Sequence, residues 1–516
     1  MATVSLPQPG KTAQARRPAY FQYEDSISQF LLCGILIVST LITVWLSWRW
    51  QIVIDAPLMQ YAAFLMDHGQ VLYRDIIDMN GIGAPFSSRL ELHLLGYSDL
   101  GWRIYDLLFI ALGGIGIFFI CRPFGRVAVI FSTCLFAMTH IQPGMREVGQ
   151  RDFQMAALEL LSAGFLLQGF RTRKPGWFVA SGAAAMFGAS IKPPGVLYVA
   201  LLLVYTLAVV ISGRNRKWTW PMSFVAGAAV PCVLAASYLI FNGAWHPFVE
   251  IYSKFLPLYS QLGRKSLAEL LSILKDYIQP LLLLISASGL LLTQKRENWL
   301  NQESGLVLWG SLCGLGCFFA QAKGWTYQLD PLVVFASVWC GIAIATLMRD
   351  RRAMIRLALS LGLVLWVVVW IPTFIRHTSI GQTSLGTFDP RYVHFLESEI
   401  SKLRAEGRNN GIQVMDTCQG AVLALYDLKL VQSTGFLYDF YFYQFPDQPY
   451  IRQLRLRFLK EMDAARPDLL IISSQSWPDS KLGYKRLDQW PDFRNSLDAN
   501  YKLEEELPGY RIYVHR

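Results

Sequence analysis

Acidic and basic side chains lie far apart along this 516-residue chain, yet each stands where a long apolar run meets a loop. Asp55 occurs in Val-Ile-Asp-Ala-Pro just after the first such run, and Arg151 with Asp152 occurs in Gly-Gln-Arg-Asp-Phe just before the fourth. Lys192 follows in Ile-Lys-Pro-Pro-Gly, and Lys323 and Tyr327 share Lys-Gly-Trp-Thr-Tyr. The loop after the first run adds Tyr73-Arg74-Asp75 and Asp78-Met79-Asn80-Gly81. A carboxylate at such a mouth can take a proton from a hydroxyl, while cations beside it hold an anion such as phosphate. Charges are costly in lipid, so a set of them at helix ends points to one outward aqueous pocket.

The elements that must position these groups are membrane helices. With 53% hydrophobic residues, the chain is too apolar for an ordinary soluble enzyme, and its apolar residues gather into runs long enough to cross the hydrocarbon layer. The runs are Phe30 to Trp48, Ile104 to Ile120, Val127 to Ile141, Phe153 to Phe170, Gly176 to Ile191 and Gly195 to Ile211. They continue with Trp220 to Phe241, Tyr277 to Thr293, Leu306 to Ala320, Leu329 to Met348 and Met354 to Phe374, making about eleven spans.

Basic residues orient the stack, because short loops rich in Lys and Arg stay cytoplasmic. Arg16 and Arg17 precede the first span, and alternate loops carry Arg122 and Arg126, Arg171 to Lys174, Arg214 to Lys217, Lys295 with Arg296, and Arg349 to Arg352. The expectation is a multi-pass membrane protein, N-terminus cytoplasmic and C-terminal part extracytoplasmic. The net charge of +10 is then a topological bias, so no nucleic-acid partner is implied. Cys313 and Cys317, one turn apart inside a span, read as packing, and the scattered His68, His93, His140 and His246 lack zinc-ligand spacing.

Three regions follow from composition: a disordered leader at 1–24, a membrane core at 25–378 and an extracytoplasmic α/β domain at 379–516. In the first loop, Leu58, Tyr61, Ala62 and Leu65 recur at helical spacing, which predicts an amphipathic helix over Ala56 to His68 lying on the membrane surface. Phe86 to Leu95 reads as a second. In the tail, strands are expected at Ile412 to Met415, Leu469 to Ile472, Tyr501 to Glu505 and Tyr510 to Val514, with helices near Gly420 to Tyr426 and Tyr450 to Ala465.

The motifs, taken in order, resemble the GT-C membrane glycosyltransferases, in particular the bacterial branch of aminoarabinose transferases and protein O-mannosyltransferase relatives. Carrying the resemblance are Asp55, the Gly69 to Gly83 stretch GQVLYRDIIDMNGIG, GQRDF at Gly149 to Phe153, IKPPG at Ile191 to Gly195, and KGWTYQLDPL at Lys323 to Leu332. It departs at Asn80, where many members carry a Lys thought to meet the donor phosphate. The resemblance implies an all-α GT-C-like membrane fold in a bacterial plasma (inner) membrane and transfer of a sugar from a polyprenyl-phosphate-linked donor to a lipid, glycan or protein acceptor of the cell envelope.

On that reading Asp55 is the general base of an inverting displacement, and Asp152 orients the acceptor or joins Asp55 in holding a divalent cation, Mg or Mn. Arg74, Asp75, Asp78, Asn80, Arg151, Lys192, Lys323 and Tyr327 line the substrate site, with Arg151, Lys192 and Lys323 facing the phosphate. Plainer roles stay open beside these. Asp55 before Ala-Pro is a good helix start, Asp152 could cap the fourth span with Arg151 pairing to it, the lysines and Arg74 could be interfacial anchors, and the two tyrosines suit an aromatic belt. Two other readings of the whole chain are a transporter or flippase of lipid-linked sugars, which needs ionisable groups near mid-bilayer, and a non-catalytic envelope scaffold.

Overall fold

The computed structural model describes residues 19–145, 147–212, 217–276, 302–348, 390–417, 419–475, 477–478 and 481–516. In the membrane part the chain forms α1 (Ala19–Leu46), α2 (Ala56–Asp67), α3 (Gly83–Leu95), α4 (Asp99–Cys121), α5 (Arg126–Ile141), α6 (Arg151–Thr172), α7 (Pro175–Ile191), α8 (Val196–Ser212) and α9 (Thr219–Phe241). It continues through α10 (Trp245–Glu250), α11 (Leu256–Gln261), α12 (Leu267–Asp276), α13 (Gln302–Gln321) and α14 (Asp330–Leu347). Among the described residues seven helices are long and apolar enough to cross a membrane. Each expected span that falls on described residues is a helix, since a backbone in hydrocarbon can satisfy its own N–H and C=O groups no other way at this length. The expected spans at 277–293 and 354–374 lie outside the described residues. The first helix begins at Ala19, inside the stretch expected as leader.

Burial separates an inner from an outer layer. The α6 window is 89% enclosed by protein, whereas the α9 window is 22% enclosed and turns most of its side chains toward lipid. That difference decides where polar chemistry can sit, because α6 starts with Arg151 and Asp152.

The C-terminal part holds α15 (Pro390–Ala405), α16 (Ala421–Asp427), α17 (Pro449–Ala465) and α18 (Pro491–Asn500) around one sheet. Its strands are β1 (Ile412–Met415), β2 (Leu469–Ser473), β3 (Tyr501–Leu507) and β4 (Tyr510–His515), in the order β1-β2-β4-β3. β1 pairs parallel with β2 across α17, and the other pairs are antiparallel. Every residue of β1 and β2 is buried, which is why β2 reads as an apolar run; in β1 the buried Gln413 amide donates to the Val414 carbonyl at 2.8 Å and accepts from the Thr434 N–H at 2.9 Å. The sequence did not announce α15 or α18.

α2 corrects one expectation. Residues Pro57 to Met66 are all buried, so the helix does not rest on a lipid surface with one face in water. Its second face is covered by α16, and the Tyr61 hydroxyl donates to the Leu430 carbonyl at 2.9 Å while accepting from the Gln432 N–H at 2.9 Å. Farther along the same loop, the Ile77 N–H donates to Gly435 O at 2.8 Å, Tyr441 donates to Ile77 O at 3.2 Å, and Arg457 donates to Arg74 O at 2.8 Å. The segment between α1 and α3 is thus the seat on which the C-terminal part rests.

Candidate active site

Asp55 stands at the start of α2, whose first turn contains Pro57, but its carboxylate makes no capping hydrogen bond. Capping therefore does not account for it. With Arg151 it lines an open cleft whose walls include Gln60, Ser88, Tyr105 and Gln154. Arg151 interacts electrostatically with Asp55, Asp78, Tyr438 and Tyr327.

Behind this pair, the Asp152 carboxylate meets the Lys192 ammonium at 2.9 Å, with the two side chains 1% and 14% exposed. Lys192 reaches Asp152 because Pro193 follows it. A residue before proline avoids helical backbone, and Lys192 is extended (φ −134°, ψ 110°), which ends α7 there. Its ammonium also lies 5.8 Å from the centre of the Tyr327 ring. Asp55, Arg151, Asp152, Lys192 and Tyr327, drawn from four stretches of sequence, thus lie near one another.

Trp102, Arg103 and Asp106, not singled out in the sequence, set the turn that carries Arg151. Gly149 has φ +75° and packs against the Trp102 indole so closely that a Cβ would collide with it. Its N–H donates to Asp106 Oδ1 at 3.0 Å. Asp106, fully buried, also ion-pairs with Arg103 and lies within hydrogen-bond distance of His140 Nε2 at 3.0 Å. The His140 ring stacks on Phe153 with centroids 3.3 Å apart and planes 11° apart, so both ends of the Gly-Gln-Arg-Asp-Phe turn are gripped. The i,i+3 pair of Arg103 and Asp106 at the head of an apolar run was the available signal, because such charges need each other to be buried.

Asn80 sits at a crossing of hydrogen bonds. Its side-chain amide donates to Asp78 Oδ1 at 2.6 Å and to the Tyr438 hydroxyl at 3.0 Å, its side-chain oxygen accepts from Arg151, and its backbone oxygen accepts from Tyr73 at 2.7 Å and Tyr252 at 3.1 Å. Gly81 follows it and lies against the Ser190 and Ile191 carbonyls, where a Cβ would clash. That close approach brings the loop onto the end of α7. Burial pushes the Asp78 carboxyl up, against the pull of Arg151 and of the Asn80 hydrogen bonds.

Other expected members stand apart from this set. Arg74 is exposed and binds Asp75 at 2.7 Å and the Asn242 carbonyl at 3.0 Å. Asp75 closes its own turn through the Val71 N–H at 2.8 Å. Lys323 donates to the carbonyls of Tyr259 (2.9 Å), Ser260 (3.2 Å) and Leu262. An ammonium has three N–H donors, so the one at Lys323 is spent on the end of α11 and has none left for a phosphate. This corrects its expected role.

Asp152 is already neutralised by Lys192, and among the described residues no group of three His, Cys, Asp or Glu side chains is arranged to hold a metal.

Residues 80–241 match the family described as dolichyl-phosphate-mannose-protein mannosyltransferase. No curated protein matches the sequence. Among solved structures, ArnT from Cupriavidus metallidurans bound to undecaprenyl phosphate is similar over 93% of this chain and 97% of its own, with a TM-score of 0.61 at 13% identity. The same protein in the apo state gives 0.60 at 14% identity, with the same coverage. The archaeal oligosaccharyltransferase AglB from Archaeoglobus fulgidus, in complex with an inhibitory peptide and a dolichol-phosphate, gives 0.50 at 10% identity over 88% of this chain and 70% of its own. At such identities the likeness is one of fold: the chain is a multi-pass membrane protein with a GT-C-like fold, and the family match is confined to residues 80–241.

Proposed function

We propose that the protein transfers a sugar from a polyprenyl-phosphate-linked donor to a hydroxyl or amine of a cell-envelope acceptor, at the outer face of a bacterial plasma membrane. The observation that carries this reading is the cleft shared by Asp55 and Arg151, with the Asp152 and Lys192 pair behind it. A lipid-linked sugar keeps its chain in the bilayer and its head at the surface, which suits a polar cleft opening among membrane helices. The likeness to ArnT bound to undecaprenyl phosphate supports this class of donor.

In the proposed step, Asp55 takes the proton of the acceptor as its heteroatom bonds to the anomeric carbon. The bond from that carbon to the phosphate oxygen breaks, and the electron pair leaves with the polyprenyl phosphate. Attack from the side opposite the phosphate inverts the carbon. Arg151 and Lys192 meet the departing phosphate with charge-assisted hydrogen bonds, and Asp152 holds Lys192 in place. Tyr327 lies along the same wall. Asp78 and Asn80 act on the site through Arg151, and Arg74, Asp75 and Lys323 shape the surrounding loops. The residues 1–24, 25–378 and 379–516 would serve as leader, catalytic core and outer domain.

The test is radiolabelled sugar transfer in membranes containing wild type or Asp55→Asn. Loss of transfer with an unchanged folded yield supports the assignment; full retained activity in the variant removes it.

A further inference from the structure

One side chain of the C-terminal part, Tyr438, enters the hydrogen bonds around Asn80 and Arg151. Tyr438 is 5% exposed and belongs to the segment that pairs with the first outer loop through Ile77 and Gly435. Its hydroxyl accepts one of the two N–H groups of the Asn80 amide; Asp78 accepts the other. With both amide hydrogens assigned to oxygens, the Asn80 side-chain oxygen is left facing Arg151, from which it accepts a hydrogen bond. A flipped amide would point N–H groups at a guanidinium, donor against donor.

Resting on the reading above, we propose that Tyr438 is a positioning residue: through Asn80 it fixes the Arg151 guanidinium for the phosphate of the lipid donor, so the C-terminal part sets affinity for that phosphate. The coupling is physical at every link. Segment 435–441 is anchored on the loop by backbone hydrogen bonds at Ile77, Asn80 is held from below by Tyr73 and Tyr252, and Arg151 is held at its root by the gripped turn. The phenol then decides the orientation of the one group between loop and guanidinium. Removing its oxygen leaves the fold anchors in place and frees the amide.

The test uses the full-length protein in lipid nanodiscs with undecaprenyl phosphate as probe, measured by binding and not by turnover. Tyr438→Phe should weaken binding roughly tenfold, the scale of one lost hydrogen bond governing a charged group. Its thermal midpoint should stay close to that of wild type. Asn80→Ala should weaken binding similarly, and the double variant should lose clearly less than the sum of the two single losses, because the two residues are coupled. In transfer assays the change should appear in KM for the donor with kcat retained. Equal binding by wild type and Tyr438→Phe overturns the inference while leaving the proposed function standing, as does a double variant whose losses simply add. Failure of wild type to bind undecaprenyl phosphate overturns the proposed function and the inference with it.

Discussion

The Lys192 ammonium and the Asp152 carboxylate form an ion pair at 2.9 Å where neither side chain has appreciable contact with solvent. Burying two such charges is repaid only while both remain. Lys192→Ala should therefore lower folding stability by roughly 3–5 kcal/mol and abolish transfer. Adding Asp152→Asn should restore most of the thermal midpoint in detergent but not the activity. A double variant that also recovers transfer would assign the pair to structure alone.

For Asp55 the expected outcome is different. The side chain opens onto the cleft, so Asp55→Asn should leave the midpoint within about 2 °C of wild type and cut transfer by about 10²–10⁴. Steady-state rates at saturating donor and acceptor, set beside the melting curves, separate the two effects.

Asp106→Ala would strand the buried Arg103 and His140 and release Gly149. A loss of about 3–5 kcal/mol is expected, together with a fall in transfer, because Arg151 sits two residues beyond the freed N–H. Melting in detergent gives the first quantity. A midpoint unmoved by this substitution would contradict the account of the turn.

Glu91, on α3, receives a hydrogen bond from Gln60 at 2.5 Å. Burial pushes its carboxyl up to about 8, against that hydrogen bond and with a further push from Asp106. Between the ordinary carboxyl range and about pH 8 the folded protein holds a proton that the unfolded chain has lost. Stability therefore falls as pH rises through that window. The wild-type midpoint should drop by several degrees from pH 5 to pH 8, and Glu91→Gln should flatten the profile; identical slopes for the two proteins would show that Glu91 is ionised throughout.

Because Lys192 already compensates Asp152, chelation of divalent ions should leave transfer within about twofold of its starting rate. A tenfold loss on adding EDTA, restored by Mg or Mn, would require ligands other than those in view.

Much of the architecture was legible because apolar runs of bilayer length have one stable outcome. The convergence of Asp55, Arg151, Asp152 and Lys192 was legible for a related reason: each borders a helix end, and alternating basic loops assign those ends to a common face. Lys323 was misread since its partners are carbonyls about sixty positions away, and no side-chain pattern marks an available carbonyl. The role of α2 was misread because its covering helix comes from the far end of the chain. Tyr438 was invisible for the same cause, lying 358 positions from Asn80. Arg103 and Asp106 carried a local signal that was passed over.

Among the described spans, the helix that presents Arg151 and Asp152 is also the one most walled in by its neighbours. Such an axle has no room to slide or tilt without dragging the bundle, so the reacting groups are stationary and whatever opens and shuts during a turnover must belong to the periphery. Engineering for a different sugar or acceptor should accordingly begin with the loops and the soluble part, leaving the axle untouched.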